Sequence, residues 1–244
     1  MMINISEDPI MKPAVRLTLK AALCSANVLL VGESGVGKAY IARKIHEASS
    51  KAPRGFRTLF CVPGGSDGNE LERMFDRLEN MQHVCGTIHV RGIDLLDVLG
   101  QRKLLSLLDD REDRMKAAES GDNGLARLIF SSQKDLRFEA AEGRYLRQLY
   151  LKASVITIRV PPLRKRETDI VCLARHFINL YSHSECKEIK GLSGDAECLL
   201  RHLAWEGNIH ELKNTINRAV VLAEEGEILN AGMLKGVLQQ PALA

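Results

Sequence analysis

The stretch "ANVLLVGESGVGKAYIARKIHEAS", residues 26–49, decides the fold. It begins with a short apolar run, 26–32, which predicts a buried strand ending in glycine. Residues 32–38, "GESGVGK", fit the pattern GxxxxGK, and residues 38–49 carry apolar side chains at helical spacing. A strand, a glycine-rich loop ending in lysine, and a helix in that order are the context in which this pattern binds phosphate groups.

The loop has the chemistry of an anion site. Its glycines let consecutive backbone N–H groups point at one anion, and the positive end of the helix dipole adds to the charge of the lysine. A glycine-rich turn that merely starts a helix is the competing interpretation, and the strand and the lysine argue against it. The candidate nucleotide-binding residues are consecutive: Gly32, Glu33, Ser34, Gly35, Val36, Gly37, Lys38 and Ala39.

Strands and helices alternate on both sides of this stretch, which predicts an α/β fold with a parallel sheet covered by helices. The charged segment 109–124 predicts a surface excursion. Further strands are predicted at 56–62, 87–90, 125–132 and 153–160, and further helices at 11–24, 69–80 and 99–110.

The pattern changes near residue 165. Three helical segments follow, with no strand among them, at 167–182, 192–204 and 208–223. We therefore predict an α/β nucleotide-binding domain at 1–164 and a small all-helical domain at 165–244.

Composition narrows the class of protein. The chain has 244 residues, 45% of them hydrophobic, so it can bury a substantial core. A net charge of +3 is too small to argue for nucleic acid or a membrane surface. No apolar run is long enough to span a membrane, and the first residues lack the layout of a secretory signal. Six scattered cysteines without a CxxC pair suit reduced thiols in a cytoplasmic protein and give no zinc-finger spacing.

Five segments of the chain occur in one order and register: "GESGVGK" (32–38), "GFRTLFC" (55–61), "GQRKLLSLL" (100–108), "VPPLRKRETDI" (160–170) and "WEGNIHELKN" (205–214). Together they resemble one family, the AAA+ central domain of bacterial sigma-54-dependent transcription activators. The resemblance covers roughly residues 12–237 and implies a P-loop AAA+ parallel sheet sandwiched by helices, followed by a helical lid. It also implies ATP or ADP as ligand, self-association or mixed oligomers with related AAA+ regulators, and contact with the transcription machinery.

The chain departs from the family where hydrolysis is carried out. The family's third strand ends in an Asp that holds magnesium and a Glu that polarises water, and these positions are Arg91 and Gly92. The two arginine fingers of the family align with Leu146 and Lys152, while Arg147 is one residue out of register.

Other family positions also differ. The polar sensor, usually Thr-Asn, is Ser132 and Gln133, and the lid arginine is His210. Ala39 replaces a magnesium-binding Ser or Thr, although the family often has an acidic residue there. The family contacts its sigma factor through a loop with the signature GAFTGA, and residues 62–85 contain no such signature, so the loop looks deleted.

These replacements predict negligible hydrolysis, since an arginine finger alone is worth several powers of ten in rate. They also weaken the case for magnesium. We hypothesise that Arg91 binds phosphate directly in place of the metal, or that it pairs with an acid such as Glu33. Asp94 and Asp97 are better explained as helix-capping groups than as substitute catalysts.

Several other residues have structural explanations. His89 alternates with apolar neighbours and is interpreted as a core histidine whose hydrogen bonds are satisfied, and Trp205 is expected to pack the lid. His210 is either a pH-dependent substitute for arginine or a solvated side chain. The run "LRKRE", 163–167, is interpreted as a solvated junction.

The leading hypothesis is therefore a regulatory module, a degenerate member of this family that binds a nucleotide without turnover. The alternatives are an ATPase that is active only in a mixed ring with a competent partner, and an interaction scaffold that binds no nucleotide. Some relatives with degraded sigma contacts answer to cyclic di-GMP, which makes it a further candidate ligand of this chain, although the sequence shows no site for it. No helix–turn–helix is evident, so DNA contact is expected only through a further domain or a partner.

Overall fold

The computed structural model describes residues 6–61, 63, 68–82, 84–117 and 125–239. These residues form two compact units. The first comprises Pro13–Gly32 and Gly37–Val160, and the second comprises Ser6–Lys12, Glu33–Val36 and the chain from Pro161 onward. The division at residue 164 stays a prediction, because the phosphate-loop residues 33–36 group with the second unit.

The first unit is built on a five-stranded sheet with the order β2-β3-β4-β1-β5. All neighbouring strands are parallel. Every residue of β1 and β4 is buried, as expected for a parallel sheet covered on both faces. The strands are β1 (Val28–Val31), β2 (Phe56–Phe60), β3 (Thr87–Arg91), β4 (Arg127–Ser132) and β5 (Ile156–Arg159).

Six helices accompany the sheet: α1 (Lys12–Ala22), α2 (Lys38–Glu47), α3 (Gly68–Gln82), α4 (Val98–Ala117), α5 (Leu136–Ala141) and α6 (Arg147–Ala153). The apolar faces of α3, α4, α5 and α6 pack with the strands in one core that includes Leu29, Leu78, Ile88, Leu104 and Phe130. The sequence predicted the four longer helices and missed α5 and α6. Helices of six or seven residues are too short to show a clear period.

The sequence predicted the charged segment 109–124 as a surface excursion, and this prediction was wrong for the first part of the segment. Helix α4 continues through this part to Ala117, and residues 118–124 lie outside the described chain. One arginine explains the difference. Arg111 is buried and donates to Gln82 Oε1 at 2.6 Å and to the Ala126 carbonyl at 2.7 Å, which fixes the charged turn against the body of the unit.

The second unit contains four helices, α7 (Glu167–Ser184), α8 (Gly194–His202), α9 (Asn208–Leu222) and α10 (Ala231–Gln239). They enclose a separate core. Trp205 is 1% exposed in it, and its indole N–H donates to the Leu200 carbonyl at 2.8 Å. The expected packing role of Trp205 is therefore confirmed.

The prediction of no strand in this region was wrong. A parallel pair of two-residue strands, β6 (Gly191–Leu192) and β7 (Ile228–Leu229), lies among the helices. Strands this short have no visible alternation, and Gly191 enters with φ +119°, a conformation that glycine adopts readily.

Candidate nucleotide-binding site

The backbone of the phosphate loop depends on its glycines. Gly35 and Gly37 have φ of +75° and +101°, in the left-handed region that other residues rarely adopt. Gly37 precedes the first residue of α2 and has no side chain to cap it, so the first amides of this helix are left for an anion. Lys38 Nζ donates to the Gly32 carbonyl at 2.6 Å, which keeps its charge beside the loop.

The middle of the loop is held by side chains that are distant in sequence. Arg164 donates to both oxygens of Glu33, at 2.8 and 2.6 Å. Asn208 Nδ2 donates to Glu33 Oε2 at 3.1 Å and to the Ser34 carbonyl at 2.9 Å. The hydrogen bonds from Arg164 and then from Asn208 lower the pKa of Glu33 to about 2, so its carboxylate is charged at neutral pH.

Backbone contacts complete this attachment. The Ile209 N–H donates to the Gly35 carbonyl at 3.1 Å, and Arg166 Nη2 donates to the Val36 carbonyl at 2.9 Å. A Cβ at Gly35 would stand 2.2 Å from the Gly207 carbonyl oxygen, so only glycine permits this approach. Residues 33–36 are therefore fixed by two separate segments of the second unit's chain, 164–166 and 207–209.

The sequence analysis did not predict this network of contacts around the phosphate loop. The run 163–167 was interpreted as a solvated junction, and Arg164, Lys165 and Glu167 are exposed. The interpretation was wrong for Leu163, which is fully buried, and for Arg166, which is only 3% exposed. Asn208 is fully buried and also accepts from the Leu163 N–H at 2.8 Å. The signal that could have identified it is an asparagine directly after Trp-Glu-Gly, since asparagine tolerates left-handed backbone and Asn208 has φ +56°.

The predicted site residues at the strand ends are brought together at the carboxyl edge of the sheet. The Gly32 N–H donates to the Ser132 carbonyl at 3.2 Å, and the Gly92 N–H donates to the Ser131 carbonyl at 2.9 Å. Gly32, Ser132 and Gly92 thus share the edge where open parallel sheets bind ligands.

Arg91 ends β3 with an exposed side chain. Its guanidinium carbon lies 4.7 Å from the centre of the Phe60 ring, a cation–π contact with the residue beside it in β2. One of the two hypotheses for Arg91 is an ion pair with Glu33. Arg164 competes for this pairing, because it donates to both oxygens of Glu33. Gly92 has φ +75°, so the family's glutamate position is left-handed in this chain.

The polar residues after the strands hold backbone. Ser132 is buried and its hydroxyl donates to the Lys134 carbonyl at 2.7 Å, while Gln133 is exposed. Asp94 accepts from the Gln133 N–H at 3.2 Å, and Asp97 accepts from the Gly100 N–H at 2.8 Å, at the start of α4. The capping explanation is therefore confirmed for Asp97, and Asp94 supports the neighbouring turn.

The two finger positions lie at opposite ends of α6, with Leu146 directly before the helix and Lys152 in its last turn. Leu146 packs against the core and its N–H donates to Gln101 Oε1 at 2.8 Å. Lys152 binds Asp109 at 2.8 Å and Glu112 at 2.6 Å, and hydrogen bonds to these carboxylates raise the pKa of the lysine. The Lys152 carbonyl accepts from Asn27, just before β1, so this residue lies at the amino end of β1 and not beside the loop that follows it.

The histidines differ in environment. His210 is exposed in the first turn of α9. His89 is fully buried, with Nε2 3.1 Å from the Ser131 hydroxyl, and its Nδ1 has no partner among the described residues. Burial first, and then the charges of Arg91 and Lys38, lower the pKa of His89 to about 3. The predicted core position of His89 is confirmed, but the prediction that its hydrogen bonds are satisfied was wrong at Nδ1.

The side chains of Arg91 and Gly92 carry no oxygen atom, and magnesium binds through oxygen. Within the described parts of the chain, no group of three or more histidines, cysteines or carboxylates could hold a metal ion.

The described helices include none that is long and apolar enough to cross a membrane.

Comparison with known proteins agrees with the motifs. Residues 10–163 match the Sigma-54 interaction domain, and residues 164–243 match the AAA+ ATPase lid domain. The transcriptional regulatory protein ZraR of Klebsiella oxytoca is 33% identical over 230 residues, covering 89% of this chain and 52% of the relative. The regulatory protein AtoC of Escherichia coli is 33% identical over 249 residues, covering 97% and 54%. The chain thus spans about half the length of these relatives.

Solved structures agree in fold. NtrX from Brucella abortus in complex with ATP has a TM-score of 0.78 at 23% identity, covering 98% of this chain and 58% of that one. NtrX in complex with ADP has the same score at 24% identity, covering 98% and 56%. The fold is therefore a P-loop AAA+ sheet with a helical lid. With family matches along nearly its whole length, the chain belongs to the family of sigma-54 interaction domains joined to an AAA+ ATPase lid domain.

Proposed function

We propose that this chain is the AAA+ part of a transcription regulator, and that it binds ATP or ADP through residues 32–39 with negligible turnover. The shape of the loop carries the proposal. Its glycines hold the left-handed conformations that aim amides at one anion, and Lys38 adds a full charge beside them. The relative NtrX, which has the same fold, was crystallised with ATP and with ADP.

The arrangement supports binding without hydrolysis. No carboxylate stands at positions 91 and 92 to hold a metal or to polarise a water molecule. Lys152, at a finger position, is engaged by two acids of its own chain, and Leu146 has no charge. Each lost finger costs roughly three to five powers of ten in related hydrolases. The proposed output is therefore assembly controlled by occupancy, with itself or with related AAA+ regulators.

The sigma-contacting loop is proposed to be absent. Helix α3 runs without interruption over Gly68–Gln82, and this helix accounts for most of the chain between β2 and β3. The regulator would then act on the transcription machinery through another surface, and on DNA through a further domain or a partner.

Titration calorimetry with ATP and ADP, with and without magnesium, tests the proposal. We expect saturable binding that weakens at least tenfold in Lys38→Ala, because the loop loses its only full positive charge. Lys20→Ala, which removes an exposed lysine of α1, is the matched control and should bind normally. Absence of saturable binding by the parent chain would leave the interaction scaffold as the better explanation.

A turnover assay on the same proteins separates the remaining alternative. The proposal expects no phosphate release above the Lys38→Ala background, alone or mixed with a competent family member. Release that appears only in the mixture, and that needs Lys38 of this chain, would establish a mixed-ring ATPase instead.

A further inference from the structure

Residues 6–11, which precede α1, are attached to the first turn of α7 by two side chains. Asp8 is 6% exposed, and its Oδ2 accepts from the Thr168 N–H at 3.1 Å. The Ser6 hydroxyl donates to the Asp169 carboxylate, with its Oγ 2.8 and 2.6 Å from the two carboxylate oxygens. Both segments of chain belong to the second unit, so this attachment lies within one compact body.

Asp169 connects Ser6 to a buried arginine. Asp169 is 6% exposed and Arg166 is 3% exposed, and Arg166 Nη1 lies 3.8 Å from Asp169 Oδ2. Burial raises the pKa of Asp169, and the hydrogen bond from Ser6 opposes this rise. The hydroxyl therefore helps to keep the carboxylate charged. Because a buried guanidinium depends on a nearby counter-charge, Ser6 acts on Arg166 through Asp169.

Arg166 in turn holds the phosphate loop. Its Nη2 donates to the Val36 carbonyl at 2.9 Å, and its Nε and Nη2 donate to the Pro161 carbonyl at 2.9 and 2.5 Å. A guanidinium is planar and rigid, so these bonds and the ion pair at Nη1 fix its orientation together. Val36 directly precedes Gly37 and Lys38. A change in the orientation of Arg166 therefore reaches the part of the loop that would hold an anion.

We propose that Ser6 is a positioning residue for the phosphate loop, and that residues 6–11 are coupled to the loop through Asp169 and Arg166. As an effect on affinity, the coupling rests on the nucleotide binding proposed for residues 32–39. Displacing residues 6–11 then weakens nucleotide binding, and a bound nucleotide holds the same residues in place, since coupling between two sites is reciprocal. The competing explanation is that these contacts only attach the segment to α7.

Titration calorimetry with ADP separates the two explanations. Ser6→Ala should weaken binding by at least roughly fivefold, the low end of the coupling usually seen between sites. Ser6→Thr keeps the hydroxyl and should bind as the parent does. Ser6→Glu puts a further carboxylate beside two buried ones and should bind no better than Ser6→Ala. Ser184→Ala, which removes an exposed hydroxyl at the other end of α7, is the matched control and should leave the affinity unchanged.

A double variant tests the route through Asp169. Asp169→Asn should itself weaken ADP binding, and adding Ser6→Ala should weaken it no further, because residues that act through one another are not additive. Additive losses, or the parent's affinity in Ser6→Ala, would overturn the proposal. Thermal unfolding without nucleotide checks that each variant folds. If Asp169→Asn does not fold, the contrast between Ser6→Ala and Ser6→Thr decides.

Hydrogen exchange provides a readout that needs no nucleotide. The Ile209 N–H donates to the Gly35 carbonyl at 3.1 Å from the first turn of α9, where the helix itself offers no acceptor. Exchange of this amide therefore reports whether the loop stays attached, and it should be faster in Ser6→Ala than in the parent or in Ser184→Ala. Equal rates would contradict the coupling. A parent that binds no ADP would defeat the nucleotide proposal alone, because the exchange rates still decide this one.

Discussion

Asn208 is the side chain that links the phosphate loop to the segment beginning at Leu163. It is fully buried, accepts from the Leu163 N–H, and donates to Glu33 and to the Ser34 carbonyl. Asn208→Ala should cost about 2–4 kcal/mol in the free energy of unfolding, because it leaves buried groups unpaired and puts alanine at a positive φ. Denaturant titration measures this. Asn214→Ala, at an exposed position of the same helix, should cost under about 0.5 kcal/mol.

His89 gives the first unit an acid-sensitive stability. Its pKa is about 3 in the folded chain and near 6.5 when unfolded, so unfolding takes up a proton between these values. Stability from this group is complete above about pH 6.5 and is lost as the pH falls toward 3. His89→Phe should flatten the dependence of unfolding free energy on pH in that window, as measured by denaturant titration at several pH values. An unchanged slope, equal to that of the exposed-site control His210→Gln, would contradict this.

The backbone of the turn after β3 disfavours a glutamate at position 92, the position of the family's catalytic glutamate. Gly92 has φ +75°, and a Cβ there would lie 3.0 Å from Leu95 Cδ1. Arg91→Asp combined with Gly92→Glu should therefore lose about 1 kcal/mol of stability relative to Arg91→Asp alone. We also expect no phosphate release from ATP, because α6 still lacks both fingers. Turnover restored by these two changes would show that the fingers are dispensable or come from elsewhere.

The sequence predicted the features that depend on neighbouring residues and missed those that depend on contacts between distant residues. The strand, loop and helix around Lys38 lie within 24 consecutive residues, 26–49, and hydrophobic periodicity together with the GxxxxGK pattern identifies them. Glu33 and Arg164 are 131 residues apart, and no local pattern indicates that a charged run will bind a loop so distant in sequence. No local pattern indicated the burial of Arg111 either. This burial holds an apparently exposed charged segment against the first unit as part of a helix. The sequence therefore predicted the motifs of the site but not the distant side chains that hold the phosphate loop in place.

Nucleotide binding should stabilise the whole chain, and this provides a test without labelled ligands. At a nucleotide concentration of 100 times Kd the gain is about 2.7 kcal/mol, which for a chain of this size raises Tm by roughly 5–10 °C. Because no carboxylate stands at positions 91 and 92, we expect the same shift in EDTA as in magnesium, measured by thermal unfolding with ADP. Lys38→Ala should abolish the shift in both buffers. A shift that appears only with magnesium would instead mean that the metal is held by the nucleotide itself or by residues other than Arg91, and would remove the direct phosphate contact assigned to that arginine.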